Sequence, residues 1–263
     1  MNKLILSLLV CTGFLFASCV PTKDLIYLQK KDDSEATNVI NPVVAKPYRL
    51  QTNDILSITI KAIDPKLVTI FTPTNEGAVG KSDVGLYYEG FTVDDHGNIR
   101  MPILGDVNVM GFTIEEVREK VEKKLLEEYF NQEANIFVTV KLAGLRYTVN
   151  GEITSPGTKI LYQERVNILE AIANSGDITI TGDRKAVTVI RQYPHGTEMH
   201  DIDLTDVKAM QSPYYYIQPN DYIYVKPLKQ KTWGTGTTGI QSLNSIIAIL
   251  SLATTTFLLL RSN

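Results

Sequence analysis

The chain has 263 residues, 26 basic against 29 acidic side chains, a formal net charge of −3 and 21% charged residues. This balance argues against a general nucleic-acid binder, which presents a basic surface to phosphates. With 44% hydrophobic residues, and with Tyr, Val, Ile and Thr prominent, the part between the two ends suits one or two β-leaning soluble domains.

The N-terminus reads "MNKLILSLLVCTGFLFASCV". One Lys, an uncharged apolar run and then small residues give the order of a secretory signal over residues 1–18, too short for a comfortable membrane span. Ala17 and Ser18 before Cys19 resemble the lipobox of a bacterial lipoprotein, although Phe16 stands where that pattern prefers Leu. The resemblance implies cleavage before Cys19 and lipid on that residue. An ordinary signal peptide with Cys19 incidental is the alternative. Cleavage removes Cys11 and leaves Cys19 as the sole cysteine, so no internal disulfide can form. It also removes Lys3 and takes the net charge from −3 to −4.

Residues 19–45 are polar, with Pro at both ends and charges clustered from Lys30 to Asp33. They read as a lipid anchor and tether. A first domain is expected over 46–142. "DILSITI" reads as a strand, and the Gly-, Pro- and Thr-rich stretch from Asp64 to Gly90 as a long loop. "FTVDDHGNIRMPIL" reads as strand, turn, strand. Thr113 and Glu116 make a capping box, and Ile114, Val117, Val121, Leu125 and Tyr129 share one face of the helix that follows. "NIFVTVKL" closes the domain as a strand.

A second domain is expected over 145–228. "YTVNGEITSPGTKIL" reads as a hairpin turning at Pro156-Gly157, and "NILEAIANSGDI" as a short helix ended by Gly176. "AVTVIRQ" reads as a strand, "PHGTEMH" as a loop and "IQPNDYIYV" as the last strand. Residues 229–239 read as a flexible linker.

Residues 240–260 carry no charge before Arg261, and as a helix they are long enough to cross a hydrocarbon core of about 30 Å. Gln241, Asn244, Ser251 and Thr255 fall within about 80° on the helical wheel, with Ile246, Leu250, Ala253 and Phe257 opposite. Two readings stand side by side: a ring of such helices with the polar stripe facing a lumen, or a plain anchor whose hydroxyls bond their own helix carbonyls.

One short pattern occurs twice. "LQTNDILSI", Leu50 to Ile58, and "IQPNDYIYV", Ile217 to Val225, align without gaps. Asn tolerates left-handed backbone and Asp bonds nearby backbone, so each copy reads as a turn that launches a strand.

"YRLQTNDILSITI", "DDHGNIRMPILGDVNVMGFTIEEVREKVEKKL" and "NIFVTVKL" resemble the polysaccharide biosynthesis/export domain. Asp94, Gly97, Ile99, Pro102, Gly105, Gly111 and Thr113 fit its pattern, and Asn53 stands where the family usually has Gly. "VNGEITSPGTKIL", "NILEAIANSGDI", "VTVIR" and "IQPNDYIYV" resemble the soluble-ligand-binding β-grasp (SLBB) domain. The order of parts is similar to outer-membrane polysaccharide exporters of the Wza type. The resemblance implies a homo-oligomeric ring, commonly of eight copies, with terminal helices as a barrel through the outer membrane. It also implies an inner-membrane polysaccharide copolymerase, often a tyrosine kinase, as partner and polysaccharide as cargo.

Other chemistry is weakly marked. Asp94, Asp95 and His96 read as a polar turn rather than an acid–base group. His195 and His200 lack a clear third metal ligand, and "GTGTTG" lacks the Lys of a phosphate loop. The expectation is therefore an α+β chain, not an enzyme, with no cofactor or metal. It has two small β-rich domains followed by an amphipathic transmembrane helix, and it is lipid-anchored at Cys19 to the outer membrane with its soluble domains in the periplasm. Gln241, Asn244, Ser251 and Thr255 are the expected pore-lining residues. The competing reading is a monomeric periplasmic lipoprotein that binds glycan or a partner protein through the SLBB domain.

Overall fold

Thr113 sits in extended backbone and accepts from Glu116 N at 3.3 Å, while Glu116 Oε2 accepts from Thr113 N at 2.7 Å. This reciprocal cap starts helix α1, Ile114–Glu128. Val117, Val121 and Leu125 follow at helical spacing and are fully buried. The computed structural model describes residues 20–31, 41–64, 68, 70–71, 89–130, 135–193, 195–232, 247–252 and 254–255.

The core that α1 covers belongs to a three-stranded antiparallel sheet. Strand β1, Ile55–Lys61, lies between β2, Phe91–Thr92, and β5, Phe137–Leu142. Leu56, Ile58 and Ile60 alternate inward along β1 and meet Val138 and Val140. A separate hairpin, β3 (Asn98–Met101) with β4 (Gly105–Asn108), adds Ile99, Met101 and Val107 to the same core. The "DDHGN" turn forms, with His96 N and Asn98 N donating to Asp94 Oδ1 at 2.9 and 2.8 Å. Strand β3 nevertheless pairs with β4, not with β2. Pro102 has no N–H for a ladder, and Ile103 takes φ 67°, so "RMPIL" turns where an unbroken strand was expected.

The second core lies under a five-stranded sheet of order β7-β6-β10-β8-β9. Its strands are β6 (Leu145–Gly151), β7 (Gly157–Leu161), β8 (Gly182–Tyr193), β9 (Gly196–Ile202) and β10 (Tyr222–Pro227). Strand β10 is central, parallel to β6 and antiparallel to β8. Helix α2, Ile168–Asn174, is capped by Asn167 and Glu170 and buries Ile168, Ala171 and Ile172. The hydroxyl of fully buried Tyr147 donates to Ala171 O at 2.9 Å. The expected "PHGTEMH" loop is in large part strand β9. Its residues through Asp201 are exposed, so they lack the apolar alternation that marks a strand in sequence.

The segment after Cys19 runs along the second domain. Leu28 N and Gln29 N donate to Leu204 O and Thr205 O at 3.0 and 2.8 Å. Lys31 pairs with Asp203 and Lys185 with Asp24. Tyr27 donates to Asp177 Oδ1 at 2.5 Å, with the Arg184 guanidinium 5.3 Å from its ring centre. Further on, Val43 N donates to Met210 O at 2.9 Å before the chain enters the first domain.

The expected transmembrane helix is corrected. Among the described residues, no helix is long and apolar enough to cross a membrane. Toward the C-terminus, helix is described over 247–252 and 254–255. The short helix α3, Lys229–Thr232, is held to the second domain where Lys231 pairs with Glu152.

Leu125→Ala opens a cavity under α1 and destabilises the protein by about 2–5 kcal/mol, whereas the exposed Lys123→Ala stays within about 0.5 kcal/mol, as urea unfolding will show. The Glu152 carboxyl is held below its ordinary value by Lys231 and by the hydroxyl of Thr181 at 2.6 Å. A depressed carboxylate contributes stability above its ordinary pKa and loses it as pH falls through the folded value. The stability gap between wild type and Glu152→Gln is therefore present near neutral pH and closes as pH drops below about 4, which thermal melts across pH will measure.

Candidate functional site

The twin turns are built alike. Asn53 and Asn220 hold left-handed backbone, φ 68° and 65°. Asp54 Oδ2 accepts from Gln51 N at 2.8 Å, and Asp221 Oδ2 accepts from Gln218 N at 2.7 Å. Each Asn N–H then reaches a neighbouring strand or its end, Asn53 to Val93 O and Asn220 to Arg146 O. Each Asp carbonyl accepts in return, from Val93 N and from Thr148 N. The echo in the sequence is thus an echo in structure, and it launches β1 and β10, the central strand of each sheet.

Both carboxylates are buried, Asp54 at 3% and Asp221 at 1% exposure, and each needs a further partner. Asp54 takes the hydroxyl of Tyr48 at 2.8 Å. Asp221 takes a two-pronged bond from Arg191, Nε to Oδ1 at 2.8 Å and Nη2 to Oδ2 at 2.7 Å. Arg191 also donates to Tyr216 O at 3.0 Å. Burial pushes both carboxyls up from their ordinary values, and Arg191 pulls Asp221 back. Burial and Asp54 push the Tyr48 phenol far up, with a smaller upward push from Asp221 that Arg191 opposes.

The turns meet where the first domain passes into the second. A crevice of about 130 Å³ lies there, lined by both Asn residues, Asp54, Ile55, Pro219, Arg146 and Ile160 and by the connecting Leu142, Ala143 and Gly144. Gly144 takes φ 106°, and a Cβ on it would come 2.5 Å from Ile160 Cγ2, so only glycine fits this crossing. In the sequence the two turns read as architecture, and no local pattern shows that they converge. The only signal was the pair of Asn residues where glycine would turn most easily.

Of the residues expected to act, Cys19, Gln241 and Asn244 lie outside the described residues. Ser251 and Thr255 lie in the exposed C-terminal helical stretch. Thr255 Oγ1 donates to Ser251 O at 2.6 Å and Thr254 Oγ1 to Leu250 O at 2.9 Å. Those threonine hydroxyls bond carbonyls of their own helix. His195 lies 3.5 Å from Glu198 and stacks on Tyr193, while His200 stacks on Tyr214. The Glu198 carboxylate accepts from Tyr214 and raises that phenol to about 12. Among the described residues, no three His, Cys, Asp or Glu are grouped to hold a metal.

Arg191→Met leaves Asp221 charged and unpaired in the core and costs about 3–5 kcal/mol in denaturant unfolding. Tyr48→Phe, which spares the backbone bond to Asp54, costs about 1 kcal/mol.

Comparison with known proteins fits this architecture. Residues 42–142 match the polysaccharide biosynthesis/export protein family and residues 145–225 match the SLBB domain. The EPS I polysaccharide export outer membrane protein EpsA of Ralstonia nicotianae is 29% identical over 161 residues, 58% of this chain and 41% of that protein. EpsA of Ralstonia solanacearum is 29% identical over 154 residues, 56% of this chain and 40% of that protein. The matched region thus spans about two fifths of the length of these curated relatives. With both matches in order, the chain carries a polysaccharide biosynthesis/export domain followed by an SLBB domain, which supports a Wza-type export protein.

Proposed function

We propose that this chain is a subunit of an outer-membrane polysaccharide exporter. Copies assemble into a ring, and a capsular or exopolysaccharide passes through it on its way across the outer membrane. The observation that carries this reading is the unbroken succession of an export domain and an SLBB domain, each with its own core. The relatives named as polysaccharide export outer membrane proteins support it. The ring is a conduit without chemistry of its own. Synthesis of the polymer and an inner-membrane copolymerase supply the drive.

Lipid on Cys19 holds the subunit to the outer membrane with its two domains in the periplasm. The small residues Ala17 and Ser18 directly before Cys19 support this. The competing reading, a monomeric periplasmic lipoprotein that binds glycan through the SLBB domain, predicts a different mass.

Native mass spectrometry and negative-stain microscopy of the mature protein in mild detergent separate the two. A closed ring of several copies with a central opening is expected. A stable monomer at micromolar concentration contradicts the ring. Cys19→Ser is expected to move the protein from the membrane fraction to the soluble periplasmic fraction, read by fractionation and blotting.

A further inference from the structure

The crevice between the twin turns combines features that architecture alone does not require. Asn53, Asn220 and Arg146 are all exposed on it. Among the described residues, neither Asn amide nor the Arg146 guanidinium makes a hydrogen bond or ion pair, although Arg146 O and both Asn N–H groups are engaged in the backbone. Glycine adopts the left-handed geometry of these turns at least cost. Both positions instead carry a side chain that offers a donor and an acceptor.

Asp54 lines the crevice and Asp221 lies behind it, and among the described residues neither pairs with the Arg146 guanidinium. Asp54 spends one oxygen on Tyr48 and Gln51 N, and Asp221 is satisfied by Arg191 and Gln218 N. Ile160, Leu142 and Pro219 give the crevice an apolar flank beside its polar groups. A free planar cation suits a carboxylate, two amides suit neighbouring hydroxyls, and an apolar wall suits the C–H face of a ring.

We propose that this junction crevice binds one carboxylate-bearing sugar unit, with Arg146 taking the carboxylate and the Asn53 and Asn220 amides taking hydroxyls. The choice of a sugar rests on the export reading above. The site contacts the polymer one residue at a time and is weak, as a conduit requires, since tight binding would stall transport. Because the crevice is made by both domains, a ligand in it also favours the orientation that brings the two turns together.

The test uses the mature full chain in mild detergent, with D-glucuronate, D-glucose and acetate as probes in saturation-transfer NMR. Glucuronate is expected to bind in the millimolar range, at least about tenfold tighter than glucose or acetate. Arg146→Gln is expected to weaken glucuronate about tenfold and leave the melting temperature unchanged. The double variant Asn53→Gly, Asn220→Gly keeps the left-handed turns and is expected to weaken glucuronate severalfold. No glucuronate binding at 50 mM, acetate binding as tightly as glucuronate, or full binding by Arg146→Gln would each overturn the site. Such a result with polysaccharide still reaching the cell surface sinks the site and leaves the export reading standing. Polysaccharide delivery that does not need this chain sinks the export reading and, with it, the choice of ligand.

Discussion

Asp54 and Asp221 each give up nearly all contact with water, and each recovers a backbone amide three residues upstream. A buried carboxylate without such partners costs several kcal/mol, so the turn must close in one geometry. That geometry needs left-handed backbone at the preceding residue, and Asn supplies it. Once the turn is closed, the direction and starting register of the next strand are set, because a one-residue slip would exchange the two faces. In both domains this strand is the central one. The two sheets, the helices over them and the junction between domains all depend on the same device. The domains differ in how they complete it. The first uses a neutral phenol, Tyr48, and the second uses a charged guanidinium, Arg191, which also ties β8 and the Tyr216 segment to the turn.

Much of this was legible in the sequence where local chemistry decides the outcome. The capping box at Thr113 and the apolar spacing through Leu125 placed α1 almost to the residue. The Asn-Asp pairs marked both turns. Readings failed where tertiary context decides. Strand β9 is an exposed edge with polar residues along most of its length, so nothing in its periodicity sets it apart from a loop. Strand β4 hides behind Pro102 and the turn at Ile103. The docking of residues 20–31 on the second domain rests on backbone bonds and ion pairs to residues about 160 to 180 positions away, which no local pattern announces. The uncharged stretch near the C-terminus reads as a membrane span by length and lack of charge, yet among the described residues no helix is long and apolar enough to cross a membrane, and its threonine hydroxyls turn back on their own carbonyls.

The candidate site was half legible. Asn53 and Asp54 stood out because they repeat, but repetition does not say that two turns separated by most of the chain face one another. Arg146 and Gly144 gave no signal at all. An arginine on an alternating strand is ordinary, and its lack of a partner among the described residues is a property of the folded arrangement. The functional reading therefore rests on the order of two domains, and the sharper claim about the crevice rests on three side chains without partners among the described residues.

The central claim is that this chain delivers polysaccharide to the outside of the cell. Its most direct measurement is the distribution of polymer in cells that lack the chain, compared with cells in which the wild-type chain is restored. Polymer retained inside the envelope and missing from the surface, with recovery on restoration, is the expected result. Equal surface polysaccharide with and without the chain would contradict the account.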